Sequence, residues 1–423
     1  MSTLISFLSE ASIILGIVAF VGLMMQKKPM TKVFEGTIKT IVGFLIFNLG
    51  GSTITTVLKS FNTLFQTAFH INGVVAMSEA AVALAKDNYG TVVSVTFIVA
   101  FVSNLLFARF TKFKNIVFLT SIQYMFGAML ALVIKSHGYS DAVAIVLGGV
   151  TVGFASAFLP ELCQPFVRKI TGSNEMAIGH FSMCAYALSG CIGKLFKKHE
   201  AETTEDLKLP GWLSFFKDFT LGMTVIMLVL YYVSAFVAGE AVTQELAGST
   251  NWLIWPFIQA LTFTAGMNVL MYGVRMFLAE ITAAFISISE KVIPNARPAL
   301  DCPTLFPYAP TAVMLGFLSA YIASLIAAFG MARFNAPVVF IPAANVCFFL
   351  GGTAGVFGNS TGGWRGAIAG SFVTGLLLSL LPLVMYPVLA GVGVAQSAFP
   401  AVDYNVTSII LHNILNVVDM VVH

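Results

Sequence analysis

Asp301 and His180 are the two side chains in this sequence best suited to gripping a polar solute. A carboxylate accepts hydrogen bonds from hydroxyls, and an imidazole can donate and accept at once, which suits a polyhydroxylated ligand. Asp301 stands in a tract punctuated by Pro294, Pro298, Pro303, Pro307 and Pro310. Each proline removes a backbone donor and clashes with the preceding turn, so the tract cannot be one uninterrupted helix. A carboxylate at the bilayer centre costs about 2.5–3.5 kcal/mol on insertion scales, so Asp301 is expected to face a cavity and to have partners. The alternative is a surface loop residue paired with Arg297. His180 follows Gly179 in a second broken stretch, about 170–193. Ser78 and Glu79 are a third candidate group; Lys86 and Asp87 follow closely and point to the nearby outer surface. Gln123 and Asn104 are polar residues inside apolar runs. Helix–helix hydrogen bonding, worth around 1 kcal/mol, is the ordinary role of such groups. Asn104 is read that way, and Gln123 is kept as a candidate contact.

The composition says what kind of scaffold must hold these groups. Of 423 residues, 58% are hydrophobic and 10% charged, against roughly 25% charged in soluble proteins. This is an integral membrane protein. The net charge of +3 and the lack of a dense Lys/Arg block exclude nucleic-acid binding. The cysteines Cys163, Cys184, Cys191, Cys302 and Cys347 lack metal-ligand spacing, and their odd number argues against a disulfide framework. No phosphate-binding loop is present, so ATP is not the energy source. No nucleophile–base–orienter set can be assembled, so an enzyme acting on its own is not expected. No cofactor is expected either. Residues 1–10 carry no Lys or Arg, and no small-residue cleavage site follows, so no cleaved signal peptide is expected. The stretch Thr151–Ala155 superficially matches a potassium-channel filter but lacks the second glycine.

Apolar runs long enough to cross roughly 30 Å of hydrocarbon fall near 10–26, 36–58, 91–108, 115–134, 141–159, 219–238, 253–274, 308–330, 366–388 and 402–422. Two more stretches, about 170–193 and 335–359, are broken by Gly, Pro, Asn or His and read as re-entrant hairpins or interrupted helices. The expectation is an all-α polytopic membrane protein with about eleven transmembrane helices. Lys27, Lys28, Lys32, Arg109, Lys112, Lys114 and the group Lys194, Lys197, Lys198, Lys208 alternate with loops poor in basic residues. They place the N-terminus outside and the loop 194–218 in the cytoplasm. One offset of 223 residues carries Gly43 and Gly50 to Gly266 and Gly273, and Ser78 to Asp301. With opposite predicted orientations, this points to an inverted-topology repeat: about 10–193, a linker at 194–218, then about 219–423. Such repeats hold their substrate near the midplane, between corresponding broken helices.

Several separated blocks resemble one family. They are Gly36–Phe44, Ile71–Asn72–Gly73, Ile178–Gly179–His180, Glu205–Leu213, Gly273–Glu280, Asp301–Cys302 with Tyr308–Ala309–Pro310, and Gly358–Asn359 with Gly362–Arg365. Together they are similar to the membrane IIC component of the ascorbate branch of the bacterial phosphoenolpyruvate-dependent phosphotransferase system. The resemblance implies a homodimeric inner-membrane permease with a substrate-holding core domain and a scaffold domain. It implies L-ascorbate or a related sugar acid or polyol as cargo, phosphorylated by a IIB phosphocysteine that IIA recharges. The family's ligand contacts carry over at His180 and Asp301, and fall on Ser78–Glu79 in place of a Thr–Tyr pair. The residue after the histidine, usually Gln, is Phe181. A His…Gln pair falls on Ile122 and Phe126, with Gln123 adjacent. Without the family, the residues alone also admit an ion-coupled transporter using Glu79 and Asp301.

Overall fold

The computed structural model describes residues 11–69, 73–207, 219–291, 293–395 and 397–422. In chain order the first half comprises α1 (Ala11–Met25), α2 (Met30–Ala68), β1 (Val74–Val75), α3 (Ser78–Phe110), β2 (Asn115–Val117), α4 (Thr120–Ser136), α5 (Asp141–Thr171), β3 (Ala177–Ile178) and α6 (Met183–Gly193). The second half comprises α7 (Phe219–Ala238), α8 (Glu240–Ala247), α9 (Trp255–Lys291), β4 (Arg297–Leu300), α10 (Pro310–Arg333), β5 (Phe340–Ile341), α11 (Ala344–Val346), α12 (Gly352–Gly391) and α13 (Val402–Val422). A π turn over Cys347–Gly351 joins α11 to α12. Much of the 194–218 linker, including Lys208, lies outside the described residues, as do Ile71, Asn72 and the stretch from Leu209 to Leu213.

Seven helical segments among the described residues are long and apolar enough to cross a bilayer: Met30–Ala68, Asn88–Phe110, Asp141–Thr171, Thr220–Ala238, Trp255–Phe277, Pro310–Arg333 and Ala344–Gly391. The protein is a mostly helical, multi-pass membrane protein. The last segment is bent at Gly363, whose φ of +61° interrupts the helix. Three of the expected runs are not among those seven. The run 10–26 gives the 15-residue α1. The run 115–134 divides into β2 and the 17-residue α4. The run 402–422 becomes α13.

Local sequence explains the boundaries. Ser140 caps α5 by accepting the Val143 amide, and Gly172 ends it in the left-handed conformation that favours glycine. The spine of the molecule is the crossing of α2 and α9, where glycine removes side-chain bulk. A Cβ on Gly43 would lie 2.8 Å from the Phe277 amide nitrogen, and one on Gly273 would lie 2.7 Å from the Gly43 carbonyl oxygen. Close backbone approach of this kind is the main source of helix association where lipid offers no hydrophobic drive.

The proline-broken tracts are not merely irregular. They form two small parallel ladders, an addition to the expected all-helical architecture. β1 pairs with β5, and β4 lies between β2 and β3. Pro298 prevents a helix there, yet its neighbours still pair across the ladder. Backbone groups at membrane depth must find partners within the protein, and these ladders supply them.

Candidate functional site

The register of the β2–β4–β3 ladder builds the site. Ile178 pairs with Leu300, and the Gly179 amide donates to the Leu300 carbonyl at 2.7 Å. A Cβ at position 179 would fall 2.7 Å from the Ala299 carbonyl oxygen, so glycine is required for this approach. The next residues on the two strands are His180 and Asp301, and their side chains meet, with His180 Nδ1 2.7 Å from Asp301 Oδ1. The same carboxylate oxygen accepts the Cys302 amide at 2.7 Å, capping the short turn Cys302–Thr304. A carboxylate that accepts from Nδ1 fixes the tautomer and leaves Nε2 as the second ring nitrogen. Arg297 does not pair with Asp301. It meets Glu161 and donates to Asn174 Oδ1 at 3.2 Å.

A cavity of about 260 Å³ lies against this pair. It falls just below the roughly 300–1,000 Å³ of drug-sized pockets, so it suits a small solute. His180, Asp301 and Ser78 all line it, with Ile122 and Met125 of α4. Asn48, Ser52 and Thr55 of α2, Asn345 of α11 and Tyr404 of α13 complete its polar lining.

The structure therefore brings together Ser78, His180 and Asp301, three of the residues expected at the site. Gln123, Phe126 and Phe181 stand behind the cavity wall and not on it. Gln123 Nε2 donates to Ser156 Oγ of α5 at 3.0 Å. The ring of Phe126 lies 4.7 Å from that of Phe181 and 4.9 Å from that of Tyr404. Helical spacing is the reason, because Ile122 and Met125 share one face of α4 while the next residue round each turn faces away. Glu79 is the second residue of α3, but its side chain lies outside the described residues. Asn104 bridges α3 to β2, donating to the Asn115 carbonyl and accepting the Val117 amide, both at 3.0 Å.

Sequence reasoning missed a second constellation beside the first. Asp403, fully buried, accepts the amides of Met183 at 2.7 Å and Cys184 at 2.9 Å at the start of α6. In return, Ser182 Oγ accepts the Val402 amide at the start of α13. Each helix is thus capped by a side chain at the head of the other. Asp403 was legible as a lone carboxylate inside an apolar run, the same signal that singled out Asp301.

Among the described residues, His180, Asp301 and Cys302 form a group whose donor atoms lie within 4.8 Å of one another. Two ligands of a tetrahedral metal stand roughly 3.3 Å apart, given bonds of about 2.0–2.1 Å. The 2.7 Å between Nδ1 and Oδ1 is that of a hydrogen bond and shorter than that spacing.

A family model described as the PTS system sugar-specific permease component matches residues 6–403. The chain belongs to that family. Among curated proteins, the "Ascorbate-specific PTS system EIIC component" of Mycoplasma pneumoniae (strain ATCC 29342 / M129 / Subtype 1) is 24% identical over 430 residues, covering 88% of this chain. The chain spans 64% of that relative's length. In this permease the cavity beside Asp301 joins residues from both halves of the match, since Ser78 and His180 precede the linker and Asp301 and Asn345 follow it.

Proposed function

We propose that this permease binds an anionic, L-ascorbate-like sugar acid in the cavity beside His180 and Asp301, and moves it inward for phosphorylation by a IIB phosphocysteine. Sugar acids and polyols of similar size make up the wider substrate class. The observation that carries the reading is the His180–Asp301 pair, hydrogen-bonded at 2.7 Å on the wall of a small cavity that Ser78 also lines. A second feature supports an anion. Helices α3 and α4 begin at or beside this cavity, and a helix start carries about half a positive charge; the start of α6 is already taken by Asp403. Broken helices of transporters direct such ends at anionic groups of their substrates. The name of the Mycoplasma pneumoniae relative points the same way.

The two halves act as an inverted repeat in this reading. The 223-residue offset relates Ser78 to Asp301, and it carries β1 onto the start of β4. The ladders then run between halves, β1 with β5 and β4 with β2. Helices α2 and α9 belong to a scaffold, and the ladders with the helix starts they feed belong to a moving core. One end of the molecule gathers Lys114, Arg297, Lys169 and Arg365 with Glu200 and Glu202. That end is assigned to the cytoplasm, where the loop 194–218 would meet IIB. A bacterial inner membrane and a homodimer complete the reading.

Uptake of labelled L-ascorbate into proteoliposomes tests it. Accumulation as the phosphate ester, dependent on IIA, IIB and phosphoenolpyruvate, is the expected result. Uptake driven by a proton or sodium gradient without those partners would replace the reading with an ion-coupled transporter. His180→Ala should weaken ascorbate binding by at least about 1 kcal/mol, the scale of one lost polar contact.

A further inference from the structure

One amide on the cavity wall is unaccounted for. Asn345 lines the cavity, is only 7% exposed, and its Oδ1 has no hydrogen-bond partner. Its place is fixed from two directions. The pairing of Phe340 and Ile341 with β1 brings the chain to the cavity edge, and Asn62 Oδ1 of α2 accepts the Ala344 amide at 3.2 Å. The side chain is therefore held at the wall by its backbone. That oxygen is itself closed off from the cavity, whereas the amide nitrogen is neither bonded nor closed off, so it is the nitrogen that can donate to a ligand oxygen.

The position has a counterpart. The 223-residue offset that relates Ser78 to Asp301 also relates Ile122 to Asn345. Both line the cavity. Ile122 is apolar and can offer its side chain to no hydroxyl, whereas Asn345 can. The wall thus draws its polar contact at this level from the second half of the chain.

We propose that Asn345 contacts the substrate and sets specificity, donating a hydrogen bond from its amide nitrogen to a hydroxyl oxygen of the sugar acid. This rests on the ascorbate-like reading of the cavity. A site built to bond a hydroxyl rejects an analogue that lacks it far more strongly than an apolar pocket could.

The test titrates purified wild-type protein, Asn345→Ala and Asn345→Asp with L-ascorbate and with its 5-deoxy and 6-deoxy analogues by calorimetry, alongside thermal unfolding. Asn345→Ala is expected to weaken ascorbate binding about tenfold. The difference between variant and wild type should disappear for whichever analogue lacks the contacted hydroxyl. Asn345→Asp should bind the ascorbate monoanion more weakly than Asn345→Ala does, because it adds like charge. A merely structural amide would lower the unfolding temperature and leave the Kd of the folded protein within twofold, which would overturn the proposal. If wild-type protein binds no ascorbate, the substrate reading and this contact fall together. If it binds and Asn345→Ala is unchanged, the contact alone falls.

Discussion

Asp301 does two jobs with one oxygen, holding the His180 ring and accepting the Cys302 amide. Asp301→Asn keeps the volume and one acceptor oxygen but removes the charge, so the bonds to His180 and Cys302 are weakened. Ascorbate uptake should be abolished while the protein still inserts and purifies as a folded species; unchanged transport kinetics would remove Asp301 from the site. Gln123 gives the opposite expectation. Its bond to Ser156 ties α4 to α5 behind the wall, so Gln123→Ala should cost about 1 kcal/mol of stability with no change in ligand affinity. Calorimetry and thermal unfolding on the same sample separate the two effects. These residues also mark how far sequence alone could see. Asp301 and His180 were legible because a polar group in a broken apolar stretch has few other reasons to exist. Gln123 met the same criterion, but which face of α4 looks into the cavity depends on how α4 rotates against α5. No local pattern encodes that. Asn345 was invisible for a related reason: its significance lies in an unpaired amide on the cavity wall, which only a folded neighbourhood can reveal.

At the scale of elements, the α2–α9 crossing depends on backbone contact at Gly43 and Gly273. Gly273→Val would drive a branched side chain into the Gly43 carbonyl. A loss of about 1–3 kcal/mol is expected, as for overpacked cores, visible as a lower unfolding temperature in detergent. An unshifted transition would mean that the two helices separate freely. At the end of the molecule away from Arg297, α13 is latched to the loop after α4. His137 Nδ1 lies 2.6 Å from Asp419 Oδ2, Tyr139 donates to Asp419 Oδ1 at 2.7 Å, and His137 Nε2 lies 2.8 Å from His412 Nδ1. Asp419→Asn should speed hydrogen exchange in residues 137–140 and in the last turns of α13, with α2 unaffected. The glycine crossing could be anticipated from matched spacing. The parallel ladders could not, because strands of two to four residues are too short to show a period of two. The prolines disclosed only that helix was forbidden.

The whole molecule has two unlike ends, one of them rich in Arg and Lys. At the basic end, the Trp364 amide donates to the Glu202 carbonyl at 3.0 Å, and the Glu202 carboxylate meets His199 and Arg365. These two partners, His199 first, hold its carboxyl down to about 2 from an ordinary 4.5. A lowered carboxylate contributes above its ordinary value and fades as pH falls toward the lowered one. The Glu202–Arg365 arm of this bracket should therefore persist at pH 5; opening of residues 199–207 to protease at that pH in a His199→Ala variant would contradict the assignment. Cys191, the exposed cysteine near this end, supplies a test of sidedness. A membrane-impermeant thiol reagent should label it in inverted vesicles and not in intact spheroplasts. Overall class was readable from hydropathy alone, since it is a sum over many residues. The meeting of the halves was readable only as an arithmetic coincidence until the ladders gave it substance.

The exchange of caps between Ser182 and Asp403 has a consequence for how these two helices can shift. If either hairpin head slid away on its own, it would strand the other's opening amides in a dry interior, with a carboxylate left bare beside them. Independent sliding is thereby penalised twice over. The starts of α6 and α13 are tied to one another, and any shift of one would have to carry the other.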